Sequence, residues 1–111
     1  MVSGPVVITG DLNVVEPDHE PRYSVFGSWE YYFYRSFVEA GFADAFRLCQ
    51  PTGMDYSWFG RTSSNGRRNG YRFDHTFITA SHAPSVRECH YLHGVREHGL
   101  SDHAAMTLTM S

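Results

Sequence analysis

Tyr71-Arg72-Phe73-Asp74-His75-Thr76-Phe77-Ile78-Thr79-Ala80 decides the fold of this 111-residue chain. Tyr71, Phe73, His75 and Phe77 alternate with Arg72, Asp74, Thr76 and Ile78, and a period of two predicts a strand over residues 71–80. An aspartate inside a strand runs against propensity. Asp74 therefore reads either as a solvated strand end or as a carboxylate with a partner at a site. Upstream, Pro5 to Thr9 reads as a buried strand that stops at Gly10. Residues 14–28 hold Pro17, Pro21 and Gly27 and read as a loop. Ser28 suits the N-cap of a helix over Trp29–Ala40, with Phe33, Phe37 and Val38 as its apolar stripe and Gly41 as its left-handed stop. Asp44 to Leu48 is a short segment closed by Pro51, and Tyr56 to Phe59 a short aromatic strand. Arg61 to Gly70 is a polar loop. Val86 to His93 and Ala105 to Met110 read as the last strands. The order predicts an α/β (α+β) domain with a mostly antiparallel sheet and one main helix. One helix cannot cover both faces of such a sheet, so an aromatic-rich face is expected to want a partner layer.

Composition narrows the classes. Nine basic side chains stand against twelve acidic ones, for a formal charge of −3, which excludes a generally basic, nucleic-acid-coating protein. All nine are arginine. A GC-rich coding sequence is the bland cause, but each fixed positive charge can also bind phosphate in a bidentate way. No apolar run is long enough to span a bilayer. Met1-Val2-Ser3-Gly4-Pro5 lacks the basic start and apolar stretch of a signal peptide. Cys49 and Cys89 have neither CxxC nor zinc-finger spacing, so they read as free thiols in a reducing cytoplasm.

Four clusters carry chemistry. Besides the Asp74 run, Gly10-Asp11-Leu12-Asn13 ends the first strand. In an extended backbone Asp11 and Asn13 point the same way. That pair can orient a water and a phosphoryl oxygen, or it is ordinary turn chemistry. Before the last strand, Ser101-Asp102-His103 sets a carboxylate beside an imidazole, useful for metal and acid–base work; the bland alternative is an Asp turn with an exposed His. A serine-hydrolase relay is excluded, because adjacent side chains diverge. The stretch Arg61–Arg72 carries Arg61, Arg67, Arg68 and Arg72 with no acid, flanked by Tyr56, Trp58, Phe59, Tyr71 and Phe73. Arginines beside stacking surfaces suit a sugar–phosphate ligand, with a solvated loop as the alternative. A structural zinc site is disfavoured: His90 and His93 would face opposite ways on a strand, and no cysteine sits at ligand spacing.

Together the clusters match a pattern. Gly10-Asp11-Leu12-Asn13, then Asp44-Ala45-Phe46-Arg47 with Pro51, then Tyr56-Ser57-Trp58, then Gly70-Tyr71-Arg72-Phe73-Asp74-His75, then Ser101-Asp102-His103 resemble the C-terminal half of the exonuclease III-type abasic-site endonucleases. These belong to the endonuclease/exonuclease/phosphatase superfamily. The GDxN and SDH blocks are superfamily-wide, and the DxFR…P…YSW…GxRxD series points to the exonuclease III branch. The resemblance covers nearly the whole chain, so residues 1–111 are read as the C-terminal half of one such domain, half of a four-layer sandwich. It implies that Asp11 orients or deprotonates the attacking water and Asn13 hydrogen-bonds it or a phosphate oxygen. Asp74 would hold His103 in a useful tautomer, His103 would contact the phosphoryl group, and Asp102 would lie at the divalent-metal site. Trp58, Tyr71 and Phe73 would line the pocket for an extruded sugar or terminal nucleotide. Arg61, Arg67, Arg68 and Arg72 would grip the strand. The implied cofactor is Mg²⁺ or Mn²⁺ and the implied partner DNA, at an abasic site or 3′ end.

Departures set further expectations. His75 stands where the family has an aromatic or aliphatic residue, Tyr71 where it often has Trp, and the stretch after Asn13 is short. The family's early Asn, metal-binding Glu and phosphate-side Tyr have no counterpart motif here. An incomplete metal site, little or no activity of this chain alone, and pairing with the missing half or with a second copy are expected. Rival readings are a phosphatase or lipid phosphodiesterase of the same superfamily, and a non-catalytic remnant or interaction module.

Overall fold

The computed structural model describes residues 4–62 and 66–111, so residues 1–3 of the leader reading and 63–65 of the predicted 61–70 loop lie outside the described residues. In chain order the elements are β1 (Val7–Asp11), α1 (Ser28–Glu39), β2 (Phe42–Asp44), α2 (Ala45–Cys49), β3 (Trp58–Thr62), β4 (Arg68–Tyr71), β5 (Asp74–Thr79), a 3₁₀ turn (Ala80–Ser85), β6 (Val86–Leu92), α3 (Gly94–Glu97) and β7 (Ala105–Met110). The class is α+β, and among the described residues every strand pairing is antiparallel.

β5 is the hub. It pairs with β1 on one edge and β2 on the other, in the order β1-β5-β2. Its side chains are buried on both faces, as its position between two covering layers demands. On one face Phe77 meets Tyr34 and Phe37 of α1, stacking on Phe37 with centroids 4.7 Å apart. On the other, Ile78 joins Phe46, Cys89, Tyr91 and Ala104, with Met106 and Leu108 packed against them. That second layer, the β6–β7 ribbon with α2, corrects the expectation of an open sheet face. Exposed apolar side chains include Val6 and Val7 at the sheet edge, Leu100 before the His103 turn, and the outer side of α1, where Trp29 is 80% and Tyr32 57% exposed.

Other readings shift: the Tyr56–Phe59 strand is Trp58–Thr62, and β3 and β4 take both ends of the predicted 61–70 loop. α1 begins a residue early, with Gly27 as N-cap, because the Glu30 carboxylate reaches back to the Gly27 N–H at 3.0 Å. The buried side of α1 is Tyr31 and Tyr34 rather than Phe33 and Val38, because Tyr34 reaches the buried Asp44 carboxylate at 2.5 Å. Gly41 does take the left-handed backbone, at φ 97°. The predicted 71–80 strand is two strands, broken at Arg72-Phe73. There the backbone N–H groups turn to side chains instead of a neighbouring strand: Arg72 N–H to His19 Nε2 at 3.0 Å, and Phe73 and Asp74 N–H to Ser57 Oγ at 3.0 and 3.1 Å.

The short ionic segments form a buried network. Arg72 lies between Glu16 and Asp44 and is fully buried. Asp44 also accepts from the Arg47 N–H as the N-cap of α2, and Glu16 bonds Arg47 at 2.5 Å. Among the described residues no helix is long and apolar enough to cross a membrane. Cys49 and Cys89 are free, and burial pushes the Cys89 thiol up to about 12.

Candidate active site

The β1–β5 register sets Asp11 directly opposite Asp74 on the last rung of the ladder, so both carboxylates leave the same face. Gly10 supplies the backbone turn there, at φ 144°, and the Leu12 N–H bonds the Phe73 carbonyl at 3.0 Å just beyond the ladder. His103 arrives from the turn before β7. That turn is tied down by Ala104 N–H to the Ser57 carbonyl at 2.8 Å and by His103 N–H to Ser101 Oγ at 3.1 Å.

The three side chains form a line. His103 Nδ1 lies 2.6 Å from Asp74 Oδ2, and its Nε2 lies 3.6 Å from Asp11 Oδ2. An ionised Asp74 can only accept, so Nδ1 carries the proton and Nε2 is left facing Asp11. Burial pulls the imidazole pKa down, but the Asp74 hydrogen bond and charge, then Asp11 and Asp102, outweigh it and the pKa is raised. Asp11 keeps its other oxygen on the Asn13 backbone N–H at 2.9 Å, and Asn13 itself is exposed with φ 56°. Asp74 thus begins a strand, as one sequence reading had it, but is partnered rather than solvated.

Aromatic side chains wall this line. Trp58 faces Tyr71 across the β3–β4 hairpin, and its ring lies 5.6 Å from Phe73 and 6.4 Å from His103. Tyr71 and Phe73 stack at 4.9 Å. Phe26, at 6.0 Å from Phe73, and Tyr23, at 4.4 Å from Tyr71, complete the wall. Gly70 makes the hairpin fit, since a Cβ there would stand 2.5 Å from the Tyr56 ring.

Not every candidate joins this group. Asp102 is exposed and lines the adjoining cleft instead. Arg61, Arg67 and Arg68 lie exposed on the hairpin. Arg72 does not join them: fully buried between Glu16 and Asp44, it has no surface to offer a strand, which corrects its placement with the gripping arginines. His75 is a core residue, bonded to the Val14 carbonyl at 2.7 Å and packed on Tyr34. Sequence reasoning missed Ser57 and His19 as the acceptors that shape the break before Asp74, and it missed Phe26 and Tyr23. Only the Tyr56-Ser57-Trp58 block gave a signal for Ser57.

Two carboxylates and an imidazole lie close enough together to hold a metal ion. Asp11, Asp74 and His103 each offer an atom within 4.8 Å of the others. Asp74 Oδ2 is engaged by His103, so exposed Asp11 is the carboxylate best placed for a metal, a first ligand short of a full set.

No protein-family model matches the chain, and no curated protein matches it. Solved structures do. A 3′ phosphatase from Neisseria bound to a product DNA hairpin superposes with a TM-score of 0.83 and 24% identity, over 97% of this chain and 46% of that one. A 3′-5′ exonuclease from Neisseria meningitidis matches with a TM-score of 0.78 and 25% identity, again over 97% and 46%. An AP endonuclease from Leishmania major matches at 0.75 and 27%, over 94% and 34%. The chain therefore has the fold of part of the exonuclease III-type AP endonucleases, and it spans less than half the length of the structures it matches.

Proposed function

We propose that the chain is the C-terminal half of a divalent-metal-dependent phosphodiester hydrolase acting on DNA ends or abasic sites. The observation that carries this is the Asp74–His103–Asp11 line, 2.6 and 3.6 Å between atoms, beside the aromatic wall. Asp74 holds the ring through Nδ1–H and favours the imidazolium, whose Nε2–H donates to the phosphoryl oxygens as their charge grows. Asp11 orients the attacking water and takes its proton. Asn13 steadies that water or a phosphate oxygen. Trp58, Tyr71 and Phe73 receive a displaced sugar or terminal nucleotide by stacking, and Arg61, Arg67 and Arg68 hold the strand. Mg²⁺ or Mn²⁺, held by Asp11 with Asp102 on the rim of the adjoining cleft as the second carboxylate, would relieve anionic repulsion at the phosphate. Two ligands leave that site short, so the chain alone has little or no activity and works with a complementary half, in a reducing cytoplasm.

The 3′ phosphatase among the matched structures favours a second substrate for the same chemistry, a terminal 3′ phosphate. The test is a cleavage assay with Mg²⁺ or Mn²⁺ on an abasic-site duplex and on a 3′-phosphorylated hairpin. The chain is assayed alone and mixed with the complementary half of the Neisseria meningitidis exonuclease. We expect cleavage on mixing that His103→Ala and Asp11→Ala abolish. Cleavage that survives both substitutions, or formation of the pair with no cleavage at all, would overturn the reading and favour a non-catalytic module. Strong cleavage by the chain alone would overturn the need for a partner half.

A further inference from the structure

A cleft of about 350 Å³ lies between the β3–β4 hairpin and the turn leading to His103, lined by Phe59, Arg68, Arg96, Gly99, Ser101 and Asp102. Arg96, from α3, is held in place there. Its guanidinium sits 4.7 Å over the Phe59 ring, and Nη2 donates to His93 Nδ1 at 3.4 Å. His93 is fixed in turn by Nε2–H to the Asp55 carboxylate, 2.8 and 3.0 Å from its oxygens. That contact sets the tautomer in which Nδ1 accepts. Arg96 Nε is shielded and has no hydrogen-bond partner among the described residues, a state it shares with Arg72 Nε, so what sets Arg96 apart is its lack of a carboxylate.

The contrast with the other fixed arginines points to a ligand. Arg47 and Arg72 are neutralised by carboxylates. Arg96 has no carboxylate partner among the described residues. Arg68, across the cleft, spends Nε and Nη2 on the Gly60 and Phe59 carbonyls, which orients its charge without cancelling it. Two oriented guanidiniums thus face one cleft against the single carboxylate of Asp102. A guanidinium held this way is preorganised for two parallel hydrogen bonds to phosphate. The cleft adjoins His103 through Ser101 and Asp102, so a strand with a phosphate at His103 would run its next residues into it.

We propose that this cleft is a phosphate subsite for a nucleic-acid strand, gripped by Arg96 and Arg68, with Asp55 and His93 as positioning residues for Arg96. It rests on the hydrolase reading only for the identity of the strand, and its test is independent of cleavage. A fluorescein-labelled thymidine oligonucleotide is titrated with the full chain in EDTA over a series of salt concentrations, and binding is followed by anisotropy. Arg96→Ala is expected to weaken binding roughly ten-fold at low salt and to lower the slope of log K against log salt by about 0.7. Arg96→Lys retains the slope and loses part of the affinity. His93→Ala weakens binding with the slope intact, since it removes position and not charge. Circular dichroism checks folding, and Arg96→Gln replaces Arg96→Ala if the latter misfolds. An affinity and slope unchanged by loss of Arg96, or no strand binding by the wild type, would overturn the subsite. So would binding of inorganic phosphate alone with no strand binding. Arg96-dependent binding without cleavage by any reconstituted enzyme leaves the subsite standing and removes the hydrolase reading. Cleavage with binding indifferent to Arg96 does the reverse.

Discussion

Arg72 and Asp74 are two residues apart, yet they serve two charge clusters built on opposite terms. Glu16, Asp44 and Arg72 are closed: their side chains are 5%, 5% and 0% exposed, and Tyr34, Arg47 and Tyr91 take up further bonds. Asp11, Asp74 and His103 are open: their side chains are 36%, 13% and 21% exposed, and the gap between His103 Nε2 and Asp11 is too long for a hydrogen bond. A cluster whose charges are paired and buried holds structure and has no exposed group to give a substrate, even though Arg72 Nε has no hydrogen-bond partner among the described residues. A cluster with one bond fixed and one face unfilled has an oriented group to offer.

The largest expected effect breaks the closed cluster. Arg72→Met leaves Asp44 buried without its counter-charge and Glu16 with Arg47 alone, and should cost about 3–5 kcal/mol in urea unfolding, or prevent folding. A loss below about 1 kcal/mol would erase the distinction between the clusters. His75 comes next. Burial first, then the Arg72 charge, lowers its pKa from 6.5 to about 4. A depressed histidine contributes stability that is complete above the unfolded pKa and is lost as pH falls from 6.5 through 4. Thermal melts across that window should show a loss approaching about 3 kcal/mol, flattened in His75→Gln. Ser57→Ala removes the Oγ acceptor from the Phe73 and Asp74 N–H groups and should cost about 1–3 kcal/mol. It should also loosen the Asp74–His103 contact, read as a changed His103 titration by NMR. Smallest in stability is the open cluster itself: His103→Ala or Asp11→Ala should move the unfolding midpoint by under about 1 kcal/mol, because exposed pairs contribute little. A large loss there would place His103 with the structural charges. The raised His103 pKa gives its small contribution below the ordinary histidine value, and that contribution fades as pH rises through the folded pKa.

The alternation of Thr76, Phe77 and Ile78 was readable because β5 is packed on both faces and its side chains obey the pleat. The break at Arg72-Phe73 was not. It depends on acceptors from Ser57 and His19, far away in sequence, and no local pattern announces a backbone N–H that leaves its sheet. Arg72 was misread for a related reason: an arginine among other arginines looks like surface until two carboxylates from residues 16 and 44 arrive to bury it. Asp11, Asp74 and His103 each stood out in their own short cluster, but only the resemblance of their blocks joined them, since their spacing in sequence says nothing of a ladder rung. Arg96 gave no motif signal, because its setting comes from His93, Asp55 and Phe59 meeting across three elements.

The rung that joins Asp11 to Asp74 has one more consequence. Side-chain direction alternates along each strand, so a slip of one residue between β1 and β5 would send one carboxylate to the far face while leaving much of the ladder intact. The His103–Asp11 proximity is therefore a readout of pairing fidelity. Counting competent sites in a preparation would count molecules whose two strands closed in register, which bulk spectra of strand content cannot tell apart.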